Sequence, residues 1–178
     1  MLAPLMNDPE LLLTTSKFRV IRESVTSEGG KTKTREIIRH PGACVIVPLL
    51  DDGRVCLIRN WRIAAGQTLI ELPAGTLEPP EPPHVTAERE LIEETGYRAR
   101  SWKKIASFWP SPGYVSEQMT IFLARDLTEG EAAPMHDEKI ETRWFAKNEL
   151  DGLIGSGKIQ DGKTLIGFMH WRCYRPKR

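Results

Sequence analysis

Cysteine is scarce in this chain. Cys44, Cys56 and Cys173 are odd in number and widely spaced, which argues against a disulfide framework and leaves no CxxC pair of the zinc type. Cys44 and Cys56 sit in apolar, strand-like runs, the setting of buried free thiols in a reducing cytoplasm. An excess of one charge is lacking too. The net charge is +1, which gives no support for a nucleic-acid or membrane partner. The basic tail of Arg172, Arg175, Lys177 and Arg178 is short and reads as solvated. No basic leader precedes Leu11–Leu13 and no long apolar segment follows, so neither a signal peptide nor a transmembrane helix is evident. Internal repeats and dividing linkers are missing as well. Residues 1–178 are therefore expected to form one domain, and 40% apolar with 28% charged residues describes a soluble globular one.

Residues 1 to about 15 read as a loose arm. After Lys17, FRVIRESV alternates apolar and polar side chains and predicts a half-buried strand; past the Gly29-Gly30 turn, Thr34 to His40 predicts a second. Ala43 to Leu50 is a continuous apolar run suited to a buried strand. The Asp51-Asp52-Gly53 turn then predicts Arg54 to Arg59 as its hairpin partner. Thr68 to Leu72 predicts a short strand that runs into a loop at Pro73-Ala74-Gly75. Pro79, Pro80 and Pro82 keep a helix from starting before Pro83 or His84, and Val85, Ala87, Leu91 and Ile92 give that helix an apolar side. Further strands are predicted at Trp102 to Trp109, Met119 to Ala124 and Ile140 to Phe145. Between them come a Ser111–Tyr114 turn and a polar loop over 126–138. Asn148 to Ile154 predicts a short helix. Asp161 caps a last one through Trp171, with Leu165, Phe168 and Met169 as its core face.

Carboxylate, by contrast, is concentrated in one place. Glu88, Glu90, Glu93 and Glu94 crowd into two turns of the helix that Gly96 ends, glycine accepting the left-handed conformation just past a helix end. Glu90 lies three and four positions from Glu93 and Glu94, so the three share a face. Each like-charged pair costs roughly 0.2–0.5 kcal/mol, and with the negative end of the helix dipole the total is on the order of 1–2 kcal/mol. A divalent cation reverses that balance, because hard cations such as Mg²⁺ take carboxylate oxygens. In most helices three acids are a solvated face, with Arg89 and Glu93 as an ordinary i,i+4 ion pair. The order of residues decides otherwise here.

Gly75, Glu81, Arg89, Glu90, Leu91, Glu93, Glu94, Gly96 and Tyr97 fit the pattern G-x5-E-x7-R-E-U-x-E-E-x-G-U at every fixed position. That pattern is the Nudix box, and across residues 75–97 the chain resembles a Nudix hydrolase. The flanks Arg59-Asn60-Trp61-Arg62, Glu71-Leu72-Pro73-Ala74-Gly75 and Ser111-Pro112-Gly113-Tyr114-Val115-Ser116-Glu117 resemble the ADP-ribose pyrophosphatase branch. In that branch a proline sixteen positions beyond the second box glycine is characteristic, and Pro112 stands there relative to Gly96. Asn60 and Trp61 depart from the branch's usual glutamine and tyrosine. Ile159-Gln160-Asp161-Gly162-Lys163-Thr164 resembles its closing segment. Agreement runs from about Arg39 to Arg125.

The resemblance implies an α+β fold, the Nudix α/β/α sandwich with a mixed sheet and an additional N-terminal antiparallel sheet. Residues 1 to about 40 would be an arm and dimerisation strands, and 41–178 the catalytic core. Cleaving a pyrophosphate adds negative charge at the attacked phosphorus, so the reaction needs cations on phosphate oxygens, an acidified water and positive side chains that hold substrate. As the resemblance implies, Mg²⁺ or Mn²⁺, more than one ion per site, would be bound by Glu90, Glu93, Glu94 and the backbone carbonyl of Ala74. Arg89 would orient the glutamates and Glu81 support the loop. Gly75 would leave room for the backbone's approach to metal. Arg59, Arg62, Gly75, Ser111 and Gly113 would bind substrate, and Glu71 and Glu117 would reach metal or ribose. Glu138, on the loop before the last strand, would serve as base or extra ligand, with Asp137 and His136 as alternatives. Catalysis would thus draw on Arg89, Glu93, Glu117 and Glu138.

The implied activity is hydrolysis of ADP-ribose to AMP and ribose 5-phosphate by a homodimer with swapped N-terminal strands. GDP-mannose or another nucleoside diphosphate sugar is the rival substrate. A rival of another class is a non-catalytic module that senses a nucleotide sugar. Such modules tend to lose box carboxylates, and none is missing here.

Overall fold

The computed structural model describes residues 5–6, 9–130 and 140–174. They fall into two units, one within Met1–Gly42 and Trp109–Gln118, the other within Ala43–Phe108 and Met119–Arg178.

The first unit is an antiparallel sheet of β1 (Leu5–Met6), β2 (Glu10–Thr14), β3 (Arg19–Thr26) and β4 (Thr32–Arg39). β4 pairs with the whole length of β3, so β1 and β2 share its other edge. Arg22, central on β3, ties both neighbours, bonding Glu10 and Glu36 at 3.0 Å each. The segment Trp109–Gln118 joins by a parallel bridge, with the Ile38 N–H donating to the Tyr114 carbonyl at 2.8 Å. Residues 10–14 are thus a strand rather than part of a loose arm. Three consecutive leucines carry no alternation, and the ladder to β3 supplies the order instead.

The second unit contains β5 (Ala43–Pro48), β6 (Val55–Arg62), a 3₁₀ turn at Ile63–Ala65, β7 (Gln67–Glu71), β8 (Ala74–Thr76), α1 (Pro83–Thr95), β9 (Tyr97–Phe108), β10 (Met119–Glu129), β11 (Glu141–Phe145), α2 (Lys147–Gly155) and α3 (Gly162–Cys173). One sheet has the order β8-β5-β10-β9, with β5 and β10 parallel and the other pairs antiparallel; a second, antiparallel throughout, has the order β11-β6-β7. Alternation along β5 explains the layering. Ala43, Val45 and Val47 meet Phe168 of α3 on one face, while Cys44 and Ile46 meet Ala87 and Leu91 of α1 on the other. Helix, mixed sheet and helix form the expected sandwich. No described helix is long and apolar enough to cross a membrane.

Several expectations change. The Asp51–Gly53 turn is present, but beyond a single bridge from Leu49 to Val55 the two runs diverge into different sheets. β8 and β10 already occupy both edges of β5, so β6 cannot be its partner. The box begins in a strand, β8, and not at a loop. β9 starts at Tyr97, directly after Gly96, and β10 continues to Glu129 through what reads as a polar loop, because each strand completes the other's ladder. Val85 is exposed, since the buried stripe of α1 runs through Ala87, Leu91 and Glu94. On α3 the buried stripe is Thr164, Gly167 and Phe168, leaving Leu165 and Met169 outside it.

Phe168 is 2% exposed and Met169 53% exposed. Phe168→Ala is expected to cost about 3–5 kcal/mol, and Met169→Ala to stay within about 0.5 kcal/mol. Urea titrations of both variants measure the contrast; equal losses would contradict this placement of α3.

Candidate active site

The chain from Glu71 to Gly75 is gripped at every residue. Arg62 donates to both carboxylate oxygens of Glu71, from Nε at 2.8 Å and from Nη2 at 2.6 Å, and Lys163 Nζ donates to the same carboxylate. The Leu72 N–H donates to Thr164 Oγ1 at 2.8 Å. The Pro73 carbonyl accepts from the Ile46 N–H at 2.8 Å, and the Ala74 N–H donates to Glu94 Oε2 at 3.0 Å. Gly75 pairs with Cys44 in the ladder, and a β-carbon there would stand 2.0 Å from the Glu90 carboxylate. The side chain that glycine makes room for is Glu90 itself.

Sequence explains why α1 delivers its acids to this point. Pro83 opens the helix at a position where no N–H is required, and Gly96, at φ 75°, closes it with its N–H on the Ile92 carbonyl. Between them, Arg89 Nη1 donates to Glu90 Oε1 at 2.9 Å and to Glu93 Oε2 at 3.0 Å. Its Nη2 is buried without a hydrogen bond and lies 3.6 Å from both Glu78 and Glu81. Glu81 is steadied by the Thr86 hydroxyl, which donates to it at 2.8 Å. Burial pulls the Arg89 pKa down, but these four carboxylates outweigh it and hold the guanidinium above its ordinary value.

The donor set suits a hard divalent cation. Glu90, Glu93, Glu94 and the Ala74 carbonyl offer oxygen only, in a region where one guanidinium faces several acids. Cys44, the ladder partner of Gly75, has its thiol pushed up to about 12, by burial first and by Glu90 and Glu94 as well. Among the described residues no three His, Cys, Asp or Glu side chains are already gathered for an ion. Glu90 and Glu93 turn to Arg89, and Glu94 turns to the Ala74 N–H.

Glu71 is 0% exposed. Burial pushes its pKa up, yet the bonds from Arg62 and the nearby Lys163 outweigh that and hold it below the usual carboxylate range. Arg62 is raised in turn, mainly by its bond to Glu71. Lys163 Nζ also stands 3.0 Å from Asp161, which caps α3 by accepting the Thr164 N–H at 3.0 Å. The sequence reading assigned Lys163 no role. Its one signal is electrostatic, since a lysine in the first turn of a helix opposes the dipole and calls for a carboxylate partner.

Of the remaining expected residues, one is on β6, three belong to the first unit and three fall outside the described residues. Arg59 sits on β6 three positions before Arg62, hence on the other face of its sheet, and bonds Glu141 at 3.2 Å. Ser111, Gly113 and Glu117 belong to the first unit, where the Ser111 carbonyl accepts from Val115 at 3.0 Å and Glu117 Oε1 lies 3.7 Å from His40 Nδ1. Glu138, Asp137 and His136 fall outside the described residues.

A family model described as the NUDIX domain matches residues 38–166. The ADP-ribose pyrophosphatase of Bacillus subtilis (strain 168) is 38% identical to this chain over 150 residues, covering 83% of the chain and 81% of its own length. The GDP-mannose pyrophosphatase of Cronobacter sakazakii (strain ATCC BAA-894) is 33% identical over 155 residues, covering 78% and 81%. Among solved structures, one described as an ADP compounds hydrolase superposes with a TM-score of 0.84 over 97% of this chain and 94% of that one; at 21% identity it is a likeness of fold.

Because the folded pKa of Glu71 lies below the unfolded value, its ionised form stabilises the fold fully above about pH 4.5, and that stabilisation is lost as pH falls through the folded pKa. Glu71→Gln is therefore expected to lose about 3–5 kcal/mol at pH 7, leaving the largely buried Lys163 and the half-buried Arg62 short of a partner. The gap from wild type should narrow in urea titrations run below pH 4.5. A gap that is constant or widens toward acid would exclude this account.

Proposed function

The chain belongs to the NUDIX domain family, and from that premise we propose that it is a divalent-metal-dependent hydrolase that cleaves the pyrophosphate bond of ADP-ribose to AMP and ribose 5-phosphate. The observation that carries the reading is the meeting, within one unit, of the α1 carboxylates with the gripped strand Glu71–Gly75. A divalent ion, Mg²⁺ or Mn²⁺, held by Glu90, Glu93, Glu94 and the Ala74 carbonyl would neutralise phosphate oxygens and acidify the attacking water. Arg89 fixes the orientation of Glu90 and Glu93. Arg62, with two N–H groups locked on Glu71, turns its remaining donors to a substrate phosphate, a fork already set before substrate arrives. Glu138 accepts the proton of the attacking water or adds an oxygen ligand.

ADP-ribose is chosen on the flanking segments around Arg62, Glu71 and Pro112 and on the identity to the Bacillus relative. The Cronobacter relative keeps GDP-mannose as a second reading. The protein is further proposed to be a cytoplasmic homodimer exchanging its N-terminal strands, a reading supported by the exposed Leu11, Leu12 and Leu13 on β2 and by the buried thiols of Cys44 and Cys56. Sedimentation as a monomer at micromolar concentration would remove the dimer.

With Mg²⁺ or Mn²⁺ the purified protein is expected to release AMP and ribose 5-phosphate, with kcat/KM higher on ADP-ribose than on GDP-mannose. Inactivity on every nucleoside diphosphate sugar with either ion refutes the proposal. Glu94→Gln should lower kcat by more than the roughly 10–100-fold that loss of an outer-shell metal partner costs, with the fold intact by circular dichroism. A variant that turns over normally removes Glu94 from the metal site.

A further inference from the structure

The two arginines of Arg59-Asn60-Trp61-Arg62 cannot serve one anion. Three positions apart on β6, they project to opposite faces of the β11-β6-β7 sheet, and only Arg62 turns to Glu71. Arg59 instead helps line an open cleft of about 550 Å³ in the second unit. The apolar part of its lining includes Phe145. Its polar part holds three cations, Arg59, Arg143 and Lys158, and the amide pair Gln67 and Gln160, joined by a hydrogen bond of 3.3 Å. Among the described residues no carboxylate lines it. Arg59 shares one bond with Glu141 on the neighbouring strand, whereas Arg143 and Lys158 form no ion pair among the described residues.

We infer that this cleft is a second anion site, distinct from the carboxylate cluster, and that it takes a phosphomonoester carrying an apolar or planar group, the nucleoside monophosphate class. The volume falls in the range of small-molecule pockets. Guanidinium forks match phosphate oxygens in pairs, and a dianion is matched by more than one cation where a carboxylate needs only one. The apolar lining then has a base-sized group to cover, and the joined amides offer hydrogen bonds to a sugar. Trp61 follows Arg59 by two positions and so shares its face; it is 57% exposed and pairs in the ladder with Thr68, which lines the cleft. Its fluorescence reports occupancy.

The site stands apart from the proposed reaction, because nothing in it requires a divalent ion. AMP is titrated into the full-length protein in excess EDTA, followed by calorimetry and by Trp61 emission, with Trp61→Phe identifying the signal. One equivalent is expected to bind, with inorganic phosphate competing more weakly. The Arg143→Ala/Lys158→Ala variant, altered at two exposed positions, should bind AMP at least tenfold more weakly, and Lys158→Glu alone should weaken it in the same sense. Arg62→Ala should bind as wild type does. Absence of AMP binding in EDTA overturns the inference. So does binding that is lost with Arg62→Ala and kept in the double variant, which would place the anion beside Glu71. Failure of the protein to hydrolyse ADP-ribose would leave this titration unchanged, so the two readings fail separately.

Discussion

The site depends on a five-residue stretch of backbone that is held from four directions. Between Glu71 and Gly75, β6 supplies Arg62, α3 supplies Lys163 and Thr164, β5 supplies the Ile46 amide, and α1 supplies Glu94. Two partners come from side chains that also organise their own helix. Thr164 lies in the first turn of α3 and is bonded by the cap residue Asp161, and Glu94 lies in the last turn of α1. The strand is thereby located by the same groups that end and begin the helices around it. That is how the fold fixes the Ala74 backbone relative to Glu94 without giving the strand length of its own. Positioning of this kind removes conformational freedom before a ligand arrives.

Around that stretch the charges are deliberately unequal. On the Arg62 side, two cations, Arg62 and Lys163, meet the single buried carboxylate of Glu71, and Asp161, 3.0 Å from Lys163, balances the second charge. On the α1 side, one guanidinium stands among Glu78, Glu81, Glu90 and Glu93. The first arrangement buries its carboxylate and leaves Arg62 partly exposed, with donors to spare. The second leaves negative potential at the surface of the sandwich, where helix dipole and like-charge repulsion both oppose it. A fold tolerates such an imbalance where a mobile cation completes it.

Features governed by neighbours within four residues were legible in the sequence. Pro83 and Gly96 bound α1, Asp161 caps α3, and the apolar run at Ala43 marks the buried central strand. The box, read in order, put Glu90 and Glu94 on the helix that meets Gly75 and Ala74. What escaped depends on partners far along the chain. β2 and the end of β10 are strands only because a neighbour offers a ladder. β6 reads as the hairpin mate of β5 until β10 takes that edge. The buried side of α3 is one step round from the apolar count, because Gly167 lets the helix approach Leu72 closely and so turns Phe168 inward. Lys163 and Glu71 meet across 92 positions, a distance over which no periodicity speaks.

The parallel pairing of β5 with β10 joins residues 43–48 to residues 119–124. Both the gripped strand and the acidic helix lie on the chain between them. Closing so long a loop has an entropic cost that no local contact offsets, which slows assembly relative to a hairpin or a helical bundle. Cys44 and Ile46 on β5 form the bed on which α1 settles, so the helix can exist as a turn of chain earlier but has no address until the central strand is enclosed. The contact of Glu94 with the Ala74 backbone thus belongs with the long-range contacts of the sheet rather than with anything the helix can make alone.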